Sequence, residues 1–557
     1  MFGSREGIIY DGLMLENQQW GQDHAPNVDL NAFENIRLIK GAGTLKYSTT
    51  PGGVVVLESK LPMSIDSLYG KTILSGMSNG RGYSAITNWV KSYQNGAYVK
   101  LQGTIKNNGD FTAPHYNLTN TGNRENNVSI SFGKNDLKHR WKLFFSYFDT
   151  EIAILEGAHI GNVGDLLRAI ESDVPLVINP YTRNVDYPKQ ENSHFTSNME
   201  YINTAFAKGE LQVKYSWQKN HRKEFDLRRG ALKDTPALDM ILNTHNFISD
   251  YERNTSFGNL NSGVFFQLQD NYSNPETQIR RLIPDYLKAT LGGYFTATYN
   301  QIENFIFELG ARYEYHNNEV QKFYRDRRWN AENYEPLLRK YVIKEESSQK
   351  LVKRRLEFNT LSFSTGVRHH LSLPYSVNLN YNYTQRAPNI AEMFSDGLHH
   401  SLASIEYGDP FLEKEITHKI GIDFEKKEGV FQFNLNPFIT SGKNYIIIKP
   451  AGFEDTIRGA FPVWEYAAVN TIFKGIDIDF SYAFSTNTQF RIATSWVEAT
   501  NTKTDLPLVN IPPLTINNQL QFSLPNWKSF FVLLNSKNVF RQNRYPNNYF
   551  TESVIEE

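Results

Sequence analysis

The 557-residue chain contains no cysteine. Disulfides, thiolate metal sites and thiol nucleophiles are therefore excluded. It also lacks any run of ~18 apolar residues, so no transmembrane helix is expected. The opening "MFGSREGIIY" has no apolar core of the length a secretory signal needs. On that reading the chain either stays in the cytoplasm or is missing its N-terminus. Charge of one sign is missing too: 58 basic residues face 59 acidic ones, a net charge of -1. No global field points to nucleic acid or to an anionic membrane surface, and no nucleic-acid partner is expected. HExxH, GxSxG and P-loop patterns are absent, so no enzyme is expected.

What the chain does have is aromatics in an otherwise hydrophilic background. Only 40% of residues are hydrophobic, yet 14% are aromatic, with 37 Phe and 31 Tyr. A disordered chain would not carry them. The apolar residues alternate with polar ones. In "PYSVNLNYNYT", Tyr375, Val377, Leu379, Tyr381 and Tyr383 share one face, opposite Ser376, Asn378, Asn380, Asn382 and Thr384. In "NFIFELGARYEYH", Phe307, Leu309, Ala311, Tyr313 and Tyr315 oppose Glu308, Arg312, Glu314 and His316. "GELQVKYSWQ" and "GIDIDFSY" behave alike. This period of two marks half-buried strands.

About nineteen such strands run from about Tyr69 to Phe540. Short turns such as "AKGE" and "NQIEN" alternate with long loops near residues 107–122, 150–190, 271–284, 325–350 and 386–415. Long and short connections thus leave opposite ends of one meandering antiparallel sheet. "NVGDLLRAIES" is the sole convincing helix. A soluble sandwich or barrel would turn its apolar face inward. An outer-membrane barrel would turn it outward and keep a polar lumen. Long strands, amides and charges along the polar face, and the loop asymmetry favour the membrane form. A soluble β-rich adhesin or glycan-binding protein is the alternative. Acidic residues on the polar face could suggest a glycosidase pair, but a polar pore explains them more simply.

The N-terminal stretch "FENIRLIKGAGTLKYSTTPGGVVVLESK" reads differently, as two short strands around a Gly-rich loop. No GK[ST] follows, so a phosphate loop is not indicated. This stretch resembles the end of the plug domain of TonB-dependent outer-membrane receptors, with Ser48 where the family usually has Gly. "QRAPNIAEMFSDG" and "EYGDPFLEKE" resemble that family's RxPSxxELF and ExGDPxLxxE segments. The resemblance implies an all-β fold, a 22-stranded transmembrane barrel with a plug in its lumen. Residues 1–60 would be the C-terminal part of the plug, and 61–557 a barrel lacking its last strands. About nineteen of the 22 strands would be present, leaving a sheet edge open. The implied partners are the TonB energising complex (its contact region absent from this sequence), outer-membrane lipid and a scarce nutrient.

Within the family the chain looks most like the zinc-uptake subgroup. Asp23 and His24 match that subgroup's plug segment, Glu276 in "NYSNPETQIRRLIPDY" an extracellular-loop Glu, and His399 in "SDGLHHSLASIEYGDP" a barrel-loop His. The resemblance implies these four as ligands of Zn²⁺, which would be the transported substrate and not a catalytic cofactor. Two imidazoles with carboxylates suit zinc, though imidazole also suits Cu, Ni and Fe. His400 could be solvated, His159 could capture substrate, and His369 and His370 read as structural. Asp396 is a further possible oxygen ligand. The loop at 150–190 is not His-rich, as the subgroup's can be. That leaves a siderophore or haem receptor as the alternative, with "RDRRWNAENYEPLLRKY" as an aromatic and basic surface.

Overall fold

A computed structural model describes residues 7–16, 27–49, 53–158, 161–228, 230–372, 374–456, 458–524, 527 and 530–546. Among them, nineteen strands of ten residues or more form one antiparallel wall, from Ser67–Met77 to Phe530–Val539. The strands follow one another round a barrel in chain order. Their registers are long: Phe305–Arg325 pairs with Gln349–Ser372 from Phe305↔His369 to Arg325↔Gln349. The ring is closed, with Phe530–Val539 next to Ser67–Met77, where an open sheet edge was expected. Both strands are exposed along nearly their whole length.

The wall's apolar face points outward. In Gly258–Ser273, Val264 is 57% and Phe266 43% exposed, whereas the alternating Gln269 is buried. In Gly209–Phe225, Ser216, Gln218 and Asn220 are fully buried while Tyr215 is exposed. The same division holds in Phe305–Arg325, where Leu309 and Tyr313 face out and Arg312, Glu314 and His316 face in. An apolar exterior around a polar interior is stable in lipid and unstable in water. It excludes the inward-facing apolar core that a soluble adhesin of this size would need.

The interior is filled by a small four-stranded sheet. Gly7–Tyr10 lies at its centre, antiparallel to Leu13–Met14 and parallel to Val54–Glu58. Val54–Glu58 pairs in turn with Asn35–Ile39. Two of these strands are the ones the sequence predicts on either side of the Gly-rich loop. That loop is a 3-10 turn over Gly41–Lys46. Gly41 sits at φ +68°, and a Cβ there would come 3.0 Å from Asn380 Oδ1 of the wall, so only glycine fits comfortably.

Polar bonds tie this plug to widely separated strands. Tyr10 Oη and Thr196 Oγ1 lie 2.9 Å apart, and Gln102 Nε2 donates to Asp29 at 2.6 Å. Lys40 Nζ donates to Asn436 at 2.7 Å, and Arg312 donates to the Leu45 carbonyl at 3.0 Å. Lys142 of the wall pairs with Asp11. Burial alone would raise the Asp11 carboxyl, but Lys142 and the Ser59 hydrogen bonds outweigh it and hold it below the usual range.

The predicted helix is present as Val163–Ile170, capped by Asn162, whose side chain accepts from the Asp165 N–H. It is not the sole helix. Asp326–Ala331, Glu335–Leu338 and Ile390–Phe394 are also helical. They are too short for a period of 3.6 to show in sequence, and local caps and packing hold them instead.

Candidate functional site

The loops at the long-connection end are held by buried charge. Arg386 closes the strand Tyr375–Arg386. Its guanidinium donates to both Glu392 oxygens, at 2.9 and 3.0 Å, and to Glu415 at 3.2 Å. Glu392 also completes a capping box with Asn389, which starts the helix Ile390–Phe394. The "QRAPNIAEMF" and "FLEKE" segments are thus fastened to one another through a single arginine.

Beyond the helix, Asp396–His399 and Ser404–Tyr407 form a short hairpin. Asp396 lies 3.1 Å from Arg280 and 3.2 Å from Lys322. Burial raises its carboxyl, but Lys322 and Arg280, with Arg328, outweigh that and keep it below the ordinary range. Arg280 belongs to the loop that follows Gly258–Ser273, so this ion pair clasps two long loops together.

The adjacent histidines lie in this hairpin, and both are buried. His399 Nδ1 sits 2.7 Å from Glu406 Oε1, and Nε2 sits 3.8 Å from Glu224 Oε1. Glu224 is also held by Arg222 and accepts from the Ser401 N–H at 3.0 Å. His400 Nδ1 is 3.3 Å from Asp226 Oδ2. Glu276, on the single turn Pro275–Thr277, is exposed, and its N–H donates to Asn274 Oδ1. Asp23, His24 and His159 lie outside the described residues. His369 stacks on Phe305 with ring centroids 4.1 Å apart, at the short-turn end. Among the described residues no group of three or more His, Asp or Glu is arranged to hold a metal ion.

Between plug and wall lies a cavity of about 290 Å³. It reaches from Lys46 and Tyr47 of the plug to Arg386–Ala391 at the long-loop end. Its walls carry charge of both signs. Glu16 accepts from Gln267 and Gln269, at 2.8 and 2.9 Å. Burial pushes the Glu16 carboxyl up, against the opposing pull of Lys288. Arg312 donates to Glu314 at 2.7 Å, and His316 Nε2 lies 3.1 Å from Glu314. Asp250 accepts from the Tyr294 hydroxyl at 2.6 Å and faces Lys46 at 3.9 Å.

The family model for a TonB dependent receptor-like β-barrel matches residues 78–554. The chain belongs to the TonB-dependent receptor family. It is an outer-membrane protein, as its apolar exterior requires. Among curated relatives of this receptor, the TonB-dependent heme receptor A of Haemophilus influenzae is 22% identical, over 91% of this chain and 70% of its own. Among solved structures, the copper transporter OprC superposes with a TM-score of 0.74 at 14% identity, covering 98% of this chain and 78% of its own. The FrpB iron transporter of Neisseria meningitidis gives 0.68 at 14%, over 96% and 79%. The siderophore receptor PirA of Acinetobacter baumannii gives 0.68 at 13%, over 97% and 78%. At such identities the structures speak for the fold. The family is confirmed, whereas the zinc-uptake subgroup is not named among these relatives.

Sequence reasoning singled out the histidines and passed over Lys288, Glu16 and Arg386. One signal was available for Lys288. In "DYLKATLGGYF", Leu287 and Leu291 alternate with Tyr286, Lys288 and Thr290, which places the lysine on the lumen face.

Proposed function

We propose that this receptor carries a metal, held in a small complex, across the outer membrane with energy delivered through TonB. The observation behind the reading is the cavity between plug and loops. Its volume of about 290 Å³ exceeds what a bare ion fills, and its lining mixes charged, phenolic and amide groups. The relatives named for haem, copper, iron and a siderophore support a metal-bearing cargo. The test is uptake of radiolabelled iron, supplied as haemin or as ferric citrate, by cells that carry the receptor. Accumulation that needs both the receptor and TonB is expected. Accumulation independent of either rejects the reading.

Zinc itself is the second reading, with Asp23, His24, Glu276 and His399 as ligands. What favours it is His399, whose Nδ1 lies 2.7 Å from Glu406 Oε1, a nitrogen and an oxygen of the kinds Zn²⁺ takes. Titration of the purified receptor with zinc, beside His399→Ala and Glu276→Ala, tests it. Both variants should bind about tenfold more weakly or worse. Unchanged affinity assigns His399 to holding the loop.

A further inference from the structure

The outward face of the wall carries uneven charge just above its aromatic residues. Tyr383, His418 and Trp496 face outward, eight residues above the short-turn ends Tyr375, Lys426 and Thr488 of their strands. Rings at one height mark the upper edge of an apolar band. Lys443 of Phe431–Thr456 and Lys474 of Gly459–Ser485 share the outward face of the exposed Ile439 and Ile472. They stand twelve and eleven residues above the ends Phe431 and Ser485, about 7–9 Å higher than the rings at the rise of tilted strands. Both lysines are exposed, and among the described residues neither ammonium makes a hydrogen bond or ion pair. Lys414 lies two residues beyond Ile416, the register partner of Lys443. Its Nζ donates to the Asn359 carbonyl at 3.2 Å and to Gln385 at 2.9 Å, acceptors that carry no charge. Glu498, opposite Lys474 in register, is already paired with Arg544, and Glu413 accepts from Asn444 at 3.3 Å. Lys414, Lys443, Lys474 and Arg544 thus share two carboxylates. Elsewhere on the rim Arg124 has Glu151, Lys353 has Glu319 and Arg355 has Glu357. Beside Glu498 the wall opens into a slot of about 180 Å³, which Trp496, Ile511 and Leu514 line together with Glu498 and Arg544. An apolar slot beside a cationic rim fits an amphiphile with a hydrocarbon chain and an anionic head.

We infer that this face holds one phosphate-bearing glycolipid of the outer leaflet, its phosphate on Lys443 and Lys474 and an acyl chain against Trp496 and Leu514. Three features select that occupant. The groups lie on the outward face, across the wall from the lumen, so cargo does not reach them. They lie at the long-loop end, hence in the outer leaflet and not the inner one. A phosphate brings nearly two negative charges and three acceptor oxygens, enough for two ammonium groups, where a carboxylate brings one charge. The site is independent of the cargo and stands whichever cargo the receptor carries.

The experiment is native mass spectrometry of the full receptor in detergent. The probes are diphosphoryl lipid A, its dephosphorylated form and phosphatidylglycerol. One diphosphoryl lipid A per receptor is expected, held at least about tenfold more tightly than either of the others. Lys443→Gln combined with Lys474→Gln should weaken it about tenfold or more, the range for lost hydrogen bonds to a charged group. Lys219→Gln, at an exposed lysine of Gly209–Phe225, should change nothing. Leu514→Trp narrows the slot with every charge in place and should weaken retention as well. Equal retention by the double variant overturns the phosphate site, and equal retention by Leu514→Trp overturns the place of the chain. Phosphatidylglycerol bound as tightly as lipid A overturns the choice of glycolipid. No bound lipid at all overturns the whole inference.

Discussion

Arg280 and Asp396 lie 3.1 Å apart although 116 positions separate them in the chain, and their ion pair locks one long loop against another. Lys322 reaches the same carboxylate at 3.2 Å and donates to the Phe394 carbonyl at 2.6 Å. The loops over the lumen are therefore held by specific buried contacts, and those contacts can be broken one at a time.

Asp396→Ala should open the clasp. It leaves Lys322 and Arg280 facing each other without their shared anion, a loss of about 3–5 kcal/mol for a buried pair. Hydrogen exchange should show faster amides across 396–407 while the wall strands keep their protection. Unchanged exchange in that hairpin would remove Asp396 from the account.

Acid should act on the same clasp in a defined direction. The Asp396 carboxyl is depressed in the folded state. Its contribution is complete above the unfolded carboxylate value of about 3.9 and is lost as pH falls through the lower folded value. Limited proteolysis of the loops across a pH series should show them closed at pH 5 and opening only in stronger acid. Opening already near pH 6 would rule out Asp396 as the group that acid releases.

Arg386→Ala should be more damaging than Arg386→Lys. The first strands two buried carboxylates, Glu392 and Glu415, at a cost of about 3–5 kcal/mol. The second keeps the charge and gives up the fork that spans both oxygens of Glu392. Thermal unfolding in detergent should rank them in that order, and equal midpoints would deny the arginine this role.

Val264→Arg tests the exterior. On a lipid-facing strand a cation near the midplane costs about 2–4 kcal/mol, and on a water-facing strand almost nothing. The folded fraction in lipid vesicles should fall for Val264→Arg and stay level for a charge introduced at the exposed loop residue Pro275.

The wall was legible in the sequence because strand periodicity is local. Ser376, Asn380 and Thr384 are buried and Leu379 is exposed, as the alternation of "PYSVNLNYNYT" requires. Nineteen long strands match the number read from pattern and turn signals. The partners of the buried charges were not legible. His399 meets Glu224, Lys142 meets Asp11 and Arg312 meets the carbonyl of Leu45, contacts that close only when the sheet curls around the plug. Residue type and face could be read, but pairing across the lumen depends on barrel register, which no short window contains. The helix Ile390–Phe394 escaped for another reason. Its five residues rest on one capping box and on packing by Met393 and Phe394, both almost wholly buried.

The strands Phe431–Thr456 and Gly459–Ser485, 26 and 27 residues long, are joined by a tight turn. At about 3.3 Å per residue and a tilt of about 45°, they rise about 60 Å, against a hydrocarbon layer of about 30 Å. The upper half of this hairpin rises beyond the hydrocarbon and packs there, through Phe461 and Val463, on Ile405 and Tyr407 of the loop hairpin. Its lower outward face shows Ile439 to lipid, and its upper part carries Glu454, Asp455 and Arg458. One continuous ribbon therefore obeys two solvents in turn. Its upper part braces the loops over the lumen: Glu454 accepts from the Tyr407 hydroxyl at 2.6 Å, and Arg458 reaches Asp226, the partner of His400, at 4.0 Å.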